Sequence, residues 1–272
     1  MLIFSFIFTE GAKNMNYKLL VDTAMLAGEI MLLGGAETYR VEDTMSRILK
    51  LSGLEKTETF VTPTGIFMTL GDSSIDAITL VKRVDNRITN ISNIYETNNI
   101  SRYLCRQEIT LEEAYESLIK IKDTKQYSNA TYYICTILAS LFFTVLLGGD
   151  WLNCIFAGLN GGLIVLTLII TKRLTINTFI KNLIASILIA FNSMFLMQLL
   201  GSSIQMDILI GGSIMPLLPG VSITNAIRDT LQGDYMSGGA RAIEAFVSAT
   251  STATGIGVGM ACYSLIVGGI PL

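Results

Sequence analysis

The stretch PLLPGVSITNAIRDTLQGDY, residues 216–235, holds the densest set of groups able to do chemistry. Pro216, Pro219 and Gly220 end an apolar run, and Ser222, Asn225, Arg228, Asp229 and Asp234 follow at once. Each proline removes a backbone N–H, leaving carbonyls near Gly212 and Met215 without helical partners. At membrane depth, irregular backbone is tolerated only inside protein or beside a water-filled cavity. Ser222 is placed to N-cap a short helix over residues 223–232. Its amides would point back at the break, a geometry transporters aim at a carboxylate. An ordinary helix exit followed by a solvated loop is the other reading of the same residues.

Composition removes several chemistries. The chain has no histidine, which excludes Ser-His-Asp and Cys-His catalysis and every His-ligated metal site. The four cysteines show no C-x-x-C spacing, and Cys135, Cys154 and Cys262 sit in apolar runs as small buried hydrophobes. Neither a disulfide nor a metal site is expected. Without paired intramembrane carboxylates there is no catalytic constellation, so the chain reads as a non-enzyme. A net charge of −3 with no long basic run gives no sign of a nucleic-acid partner. The phosphate-cradling G-x-x-x-x-G-K-[ST] pattern is absent, which makes secondary transport the default for any transport role.

The elements that must position these residues divide into two solvents. Mean hydropathy is +0.55. Charged residues are only 15%, against about 25% in ordinary soluble domains. Part of the chain is therefore solvated by a lipid bilayer. Residues 1–15 read as an over-extended start with Met15 as the true beginning, and no function is assigned to them. Residues 16–127 read as a small cytoplasmic α/β domain. Its first helix places Leu20, Ala24, Ala27, Met31, Thr38, Val41, Met45 and Ile48 at three- and four-residue steps. Gly34-Gly35 interrupts it with a kink or a close backbone approach. The runs TETFVTPTGIFMTL and SIDAITLVKRV flank Gly71-Asp72-Ser73 as a hairpin. A helix near 91–105 and another opened by the Thr110–Glu113 capping box complete the domain.

Residues 128–272 read as a five-helix α-helical transmembrane domain. The spans cover about 130–148, 151–171, 179–200, 204–221 and 245–270, each near the ~20 residues that cross hydrocarbon. The fourth is the Pro-broken helix. Lys172, Arg173, Lys181, Arg228 and Arg241 fall in alternate connections. The positive-inside rule then puts the N-terminal domain in the cytoplasm and the C-terminus outside. Asn160, Asn192 and Gln198 each need a partner in lipid, supplied by interhelical hydrogen bonds or by the polar lining of a solute path. In the fifth span Ser251, Gly255 and Gly259 form one small-residue stripe, as do Ser248 and Thr252. Such stripes serve close helix packing or line a path for a small polar solute.

GGAETYRVEDTM at 34–45 and PLLPGVSITNAIRDTLQGDYMSGGARAIEAF at 216–246 resemble the threonine/serine exporter family. The likeness is to the N-terminal half of its fused members. It extends to the separate inner-membrane subunit linked to succinate export with a smaller membrane partner. The resemblance covers nearly everything from about residue 16 onward. It implies secondary export of small carboxylate-bearing metabolites, threonine/serine or a dicarboxylate such as succinate, across a bacterial cytoplasmic membrane. Fused members continue into a second group of spans, whereas this chain stops at Leu272. The expectation is therefore one subunit of a two-component exporter with a smaller membrane subunit; a homo-oligomer is also compatible.

The family motifs fall on two charged groups. Glu37, Arg40 and Glu42 form surface ion pairs, with Glu37 and Arg40 three apart on one face, or else a gate or docking surface against residues 222–244. Arg228 and Arg241 could hold a substrate carboxylate bidentately. Asp229, Asp234 and Glu244 would neutralise those arginines or bind an amino group, with Asn225 as a neutral donor and acceptor. Gly233, Gly238 and Gly239 would let the 222–244 loop flex. No cofactor is implied. Proton coupling would use carboxylates near the membrane faces or a relay in the partner. The alternative is a membrane-anchored sensor or regulatory binding subunit that transports nothing itself.

Overall fold

A computed structural model describes residues 16–73, 75–85, 87–124, 127–174 and 176–267. The expected over-extended start, residues 1–15, lies outside the described residues. The chain forms two compact units. The first joins the N-terminal region, through residue 126, to residues 221–242; the second comprises residues 127–220 together with residues from 243 onward.

In the first unit, α1 (Tyr17–Leu33) and α2 (Thr38–Leu49) replace the single interrupted helix. All eight periodic positions, Leu20 through Ile48, are fully buried, so the period was a core signal. The glycine pair ends α1 rather than kinking it. Gly35 takes φ +85°, and its amide and that of Ala36 donate to Leu32 O and Met31 O. That pair of bonds satisfies the orphan carbonyls of the last turn. Gly34 also permits a close approach, because a Cβ there would lie 3.0 Å from Asn90 O.

The strands are β1 (Lys56–Thr62), β2 (Gly65–Gly71) and β3 (Ile78–Arg83), an antiparallel sheet in the order β1-β2-β3. TETFVTPTGIFMTL is two strands, not one. Thr62 pairs with Gly65 across Pro63-Thr64, because proline pre-sets the first corner of a tight turn and cannot donate to a ladder. Val61, Ile66, Met68 and Leu70 face the core. Next come α3 (Ile91–Cys105) and α4 (Leu111–Asp123). Both bonds of the Thr110–Glu113 capping box are formed, Thr110 N–H to Glu113 Oε2 at 2.8 Å and Glu113 N–H to Thr110 Oγ1 at 3.2 Å.

The second unit contains α5 (Asn129–Leu146), α6 (Trp151–Arg173), α7 (Thr178–Leu200) and α8 (Met206–Ile214). After α8 come a 3₁₀ turn (Met215–Leu217) and then α9 (Gly220–Leu231) and α10 (Tyr235–Val267). Four of these helices, α5, α6, α7 and α10, are long and apolar enough to cross a membrane. The bent pair around residues 218–219 makes a fifth if counted as one span. The chain is a multi-pass membrane protein.

The span 204–221, expected as a Pro-broken helix, is interrupted, with a 63° bend between Leu217 and Gly220. α8 and its 3₁₀ turn together cover roughly 20 Å, short of the ~30 Å hydrocarbon core. Leu218 is extended at φ −74°, ψ 137°, the conformation favoured before a proline, and this stops the helix before Pro219. α9 begins at Gly220, so Ser222 lies inside its first turn and is not the N-cap. The expected 222–244 loop is likewise a helical hairpin, α9 and the start of α10. They are joined at Gly233 (φ +91°), where the amides of Gly233 and Asp234 donate to Thr230 O and Asp229 O.

Candidate functional site

In the turn between α1 and α2 the Gly35 and Ala36 carbonyls, and at the start of α2 the Thr38 amide, have no partner within either helix. The α9–α10 hairpin supplies those partners from about 190 residues away. Asn225 Nδ2 donates to Gly35 O at 2.8 Å, and Arg241 Nη2 donates to Ala36 O at 2.7 Å. Asp229 Oδ1 accepts the Thr38 amide at 3.2 Å, a carboxylate at the N-terminus of α2 where the helix dipole favours it. Asp234 bonds in two directions. Its Oδ2 accepts from Thr38 Oγ1 at 2.8 Å, and its Oδ1 accepts the Ser237 amide at 3.0 Å, capping α10.

The charges interleave. Asp229 is fully buried, and its Oδ2 sits 3.0 Å from Arg241 Nε, whose side chain is 3% exposed. Glu37 holds the N-cap position of α2 but does not cap it with its side chain. Its Oε1 accepts from Arg228 Nη1 and its Oε2 lies 3.4 Å from Arg40 Nη1. Glu37 is 5% exposed, whereas Arg40 is 40% and Arg228 57% exposed. Glu42 takes no part in these pairs. Its Oε1 accepts the Val61 amide at 2.8 Å and fixes α2 to β1.

Burial pushes the Asp229 carboxyl up. It outweighs the attraction of Arg241 and the bonds from Thr38, and the Asp234 charge adds to the rise. Burial also raises Glu42 against the Val61 amide, with the Asp234 and Asp229 charges reinforcing it. In Glu37 burial is the largest single influence and acts upward. The backbone hydrogen bond, Arg228 and Arg40 together overcome it and hold the carboxyl below the ordinary range. For Asp234, burial is likewise outweighed, here by Ser237, Thr38 and Arg241, and the carboxyl is lowered.

The candidate residues thus fall into distinct positions. Asn225, Asp229, Asp234 and Arg241 join the hairpin to the α1–α2 turn, together with Glu37 and Arg228. Arg241 is buried, while Arg228 presents more than half of its side chain to solvent, so its guanidinium fork can meet an incoming carboxylate. Pro216, Pro219 and Gly220 form the break, and Glu244 lies on an exposed part of α10. Gly238 does not act as a hinge. A Cβ there would lie 2.1 Å from Thr230 Oγ1, so it lets α10 pack against α9. Thr38 and the carbonyls of Gly35 and Ala36 were not foreseen, because a backbone acceptor has no signature in residue type.

Within the second unit a separate polar cluster surrounds Asn160. Its Nδ2 donates to Ser193 Oγ at 3.2 Å and Ser213 Oγ at 3.0 Å, and its Oδ1 accepts from Asn192 Nδ2 at 2.8 Å. Ser140 Oγ donates to Ser213 O at 3.2 Å, so α5, α6, α7 and α8 meet there. Ser140, Ser193 and Ser213 were also missed. The i, i+4 run Thr136, Ser140, Thr144 on α5 was the available signal.

The small stripe of α10 lies against α7. A Cβ on Gly255 would sit 2.6 Å from Leu183 O, and one on Gly259 2.5 Å from Ile187 O. Ser251 Oγ donates to Phe179 O at 2.5 Å, and Asn182 Nδ2 to Ser248 Oγ at 3.0 Å. Gln198 Oε1 accepts from Tyr263 Oη.

Comparison with known proteins agrees with this architecture. A family profile described as "Putative threonine/serine exporter" matches residues 22–263. The chain is similar to a "Probable threonine/serine exporter" of Mycobacterium tuberculosis, 20% identical over 250 residues, covering 90% of this chain and 46% of that protein. It is also similar to "Pheromone-regulated membrane protein 10" of Eremothecium gossypii, 23% identical, covering 86% of this chain and 32% of that one. The same-named protein of Kluyveromyces lactis is 23% identical, with 87% and 25% covered. The chain therefore spans from a quarter to about half the length of these curated relatives. No solved structure matches it. With the match running through both charged segments and the membrane helices, the chain belongs to the threonine/serine exporter family.

Proposed function

We propose that the chain is a secondary-transport component that exports small carboxylate-bearing metabolites, threonine/serine or a dicarboxylate such as succinate. It would work with a second, smaller membrane subunit in a bacterial cytoplasmic membrane. Self-association would be compatible with this. In this reading five spans cross the bilayer, the bent pair being the fourth. The N-terminal unit faces the cytoplasm, where the basic connections lie, and the C-terminus is outside.

The observation that carries the proposal is the Arg228–Glu37 contact. It joins a guanidinium more than half exposed to a carboxylate almost wholly buried. A substrate carboxylate arriving at Arg228 would compete with Glu37 for the same fork. The hairpin that carries Arg228 is the covalent link between α8 and α10, so loosening it would move both membrane attachments. This makes the Glu37/Arg228 pair a gate and Asn225, Asp229, Asp234 and Arg241 its anchor. No cofactor is required, and the raised Asp229 and Glu42 carboxyls are the proposed points of proton coupling.

One observation supports the regulatory alternative. The N-terminal unit has its own polar cleft of about 360 Å³, lined by Asp43, Arg47, Asn98, Ser101, Arg102, Cys105 and Arg106, with Asp43 paired to Arg47 at 2.8 Å. A small anion held there would act on the unit without crossing the membrane. The discriminating experiment is efflux of threonine and of succinate from cells carrying Arg228→Gln, with membrane insertion verified. Loss of efflux supports the gate; unchanged efflux of both solutes removes it and favours the regulatory role.

A further inference from the structure

A cavity of about 270 Å³ opens where one end each of α5, α6 and α7 come together. Its walls carry Tyr132 and Tyr133 from α5, Lys172 from the last turn of α6, and Thr178 and Lys181 from the first turn of α7. No carboxylate lines it. Among the described residues neither lysine has a carboxylate within ion-pair distance, although Lys181 is partly buried. A partly desolvated ammonium without an anion is costly, and Lys181 together with the exposed Lys172 at the same cavity calls for a ligand that brings negative charge. The positive dipole ends of α5 and α7 point the same way.

Depth identifies the ligand. α6 has 23 residues, about 34 Å, enough to cross the hydrocarbon once, so Lys172 in its last turn lies at headgroup level. Tyrosines at that level are typical of a membrane interface. The surface beside the cavity is apolar and open, with Leu174 61%, Phe179 40% and Ile180 42% exposed. A water-soluble anion would gain nothing from that surface, whereas acyl chains would cover it. We propose that this cavity binds the phosphate of an anionic phospholipid headgroup between Lys172 and Lys181, with the lipid's chains lying along α7.

The test uses the full chain in phosphatidylcholine nanodiscs with and without phosphatidylglycerol, reading the thermal unfolding midpoint and the apparent lipid affinity. Phosphatidylglycerol should raise the midpoint. Lys172→Gln and Lys181→Gln should each weaken that response about fivefold, a basic residue near the surface being worth ~1 kcal/mol. Lys181→Arg, which keeps the charge, should retain it. The readout is the difference between two lipids within each variant, so a uniformly destabilised variant still reports. Three results would overturn the proposal: a full phosphatidylglycerol response in the double variant; an equal loss on Arg173→Gln, next in sequence but not lining the cavity; or equal stabilisation by inorganic phosphate in phosphatidylcholine alone.

Discussion

Asp229 caps a helix 191 residues away from it in sequence. One oxygen accepts the Thr38 amide at 3.2 Å while the other lies 3.0 Å from Arg241 Nε. The two family motifs are therefore halves of one structural joint, with charge from the second placed on the helix ends of the first.

Arg241 is the residue that this joint tolerates losing least. Arg241→Gln strands the Asp229 carboxylate in a buried site and should cost about 3 kcal/mol, measured by chemical denaturation of the purified protein. Asp229→Asn keeps an oxygen for the Thr38 amide and should cost less. In the double variant Asp229→Asn/Arg241→Gln much of the loss should return. Additive costs in the double variant would contradict the pairing.

Acid should act on the joint with two opposite signs. Asp229 is raised in the folded protein, so its folded form takes up a proton before the unfolded chain does. Its contribution to stability grows as pH falls through the folded value toward the ordinary aspartate range. Arg241→Gln, which removes the counter-charge, should recover stability on mild acidification. Glu37 is lowered, so its contribution is complete above the ordinary glutamate range and lost as pH falls through its folded value. The stability gap between the native chain and Glu37→Gln should close there. Parallel pH profiles for both variants would refute the assignment.

Arg228 should matter for transport more than for folding. Being 57% exposed, its pair with Glu37 is worth under about 1 kcal/mol. Arg228→Gln should leave the unfolding midpoint near that of the native chain while export falls. A large loss of stability would instead make Arg228 part of the anchor.

The glycines of α10 divide into two classes that a single methyl group separates. Gly255→Ala places a Cβ 2.6 Å from Leu183 O and should cost about 1–3 kcal/mol. Gly257→Ala meets nothing within 4 Å and should be neutral. Thermal stability in detergent, measured side by side, decides this.

Asn160→Ala removes three hydrogen bonds at once and leaves Ser193, Ser213 and Asn192 to find other partners. About 1–2 kcal/mol should be lost. If export persists at temperatures where the variant is folded, the cluster packs helices rather than lining a path.

Much of this was legible in periodicity. The eight positions from Leu20 to Ile48 marked the core of the first unit, and the Thr110–Glu113 box marked a helix start, because both depend on local spacing. Asn160 and Asn192 announced themselves as polar groups in lipid. What misled was punctuation. Gly34-Gly35 ended a helix where a kink or a close backbone approach was expected, and the approach, to Asn90, is the one present; Pro63-Thr64 turned a strand that composition alone carried straight through. Pro219 likewise moved the start of α9 ahead of Ser222. The joint itself could not be read from either motif, since on one side it uses the backbone oxygens of Gly35 and Ala36 and the Thr38 amide and hydroxyl, and their partners lie far along the chain. The resemblance marked residues of both segments without showing that they touch.

The first unit is discontinuous, and that orders its synthesis. Between Gln126 and Arg241 the ribosome adds 115 residues, on the order of 10 s of translation, during which α5 to α8 must be made. Until then the Thr38 amide and the Gly35 and Ala36 carbonyls have only water. The N-terminal unit is thus completed after most of the membrane helices have emerged, so a nascent chain stalled before Val221 would carry an uncapped α2. Its susceptibility to proteolysis at residues 34–38 would report whether the joint has closed.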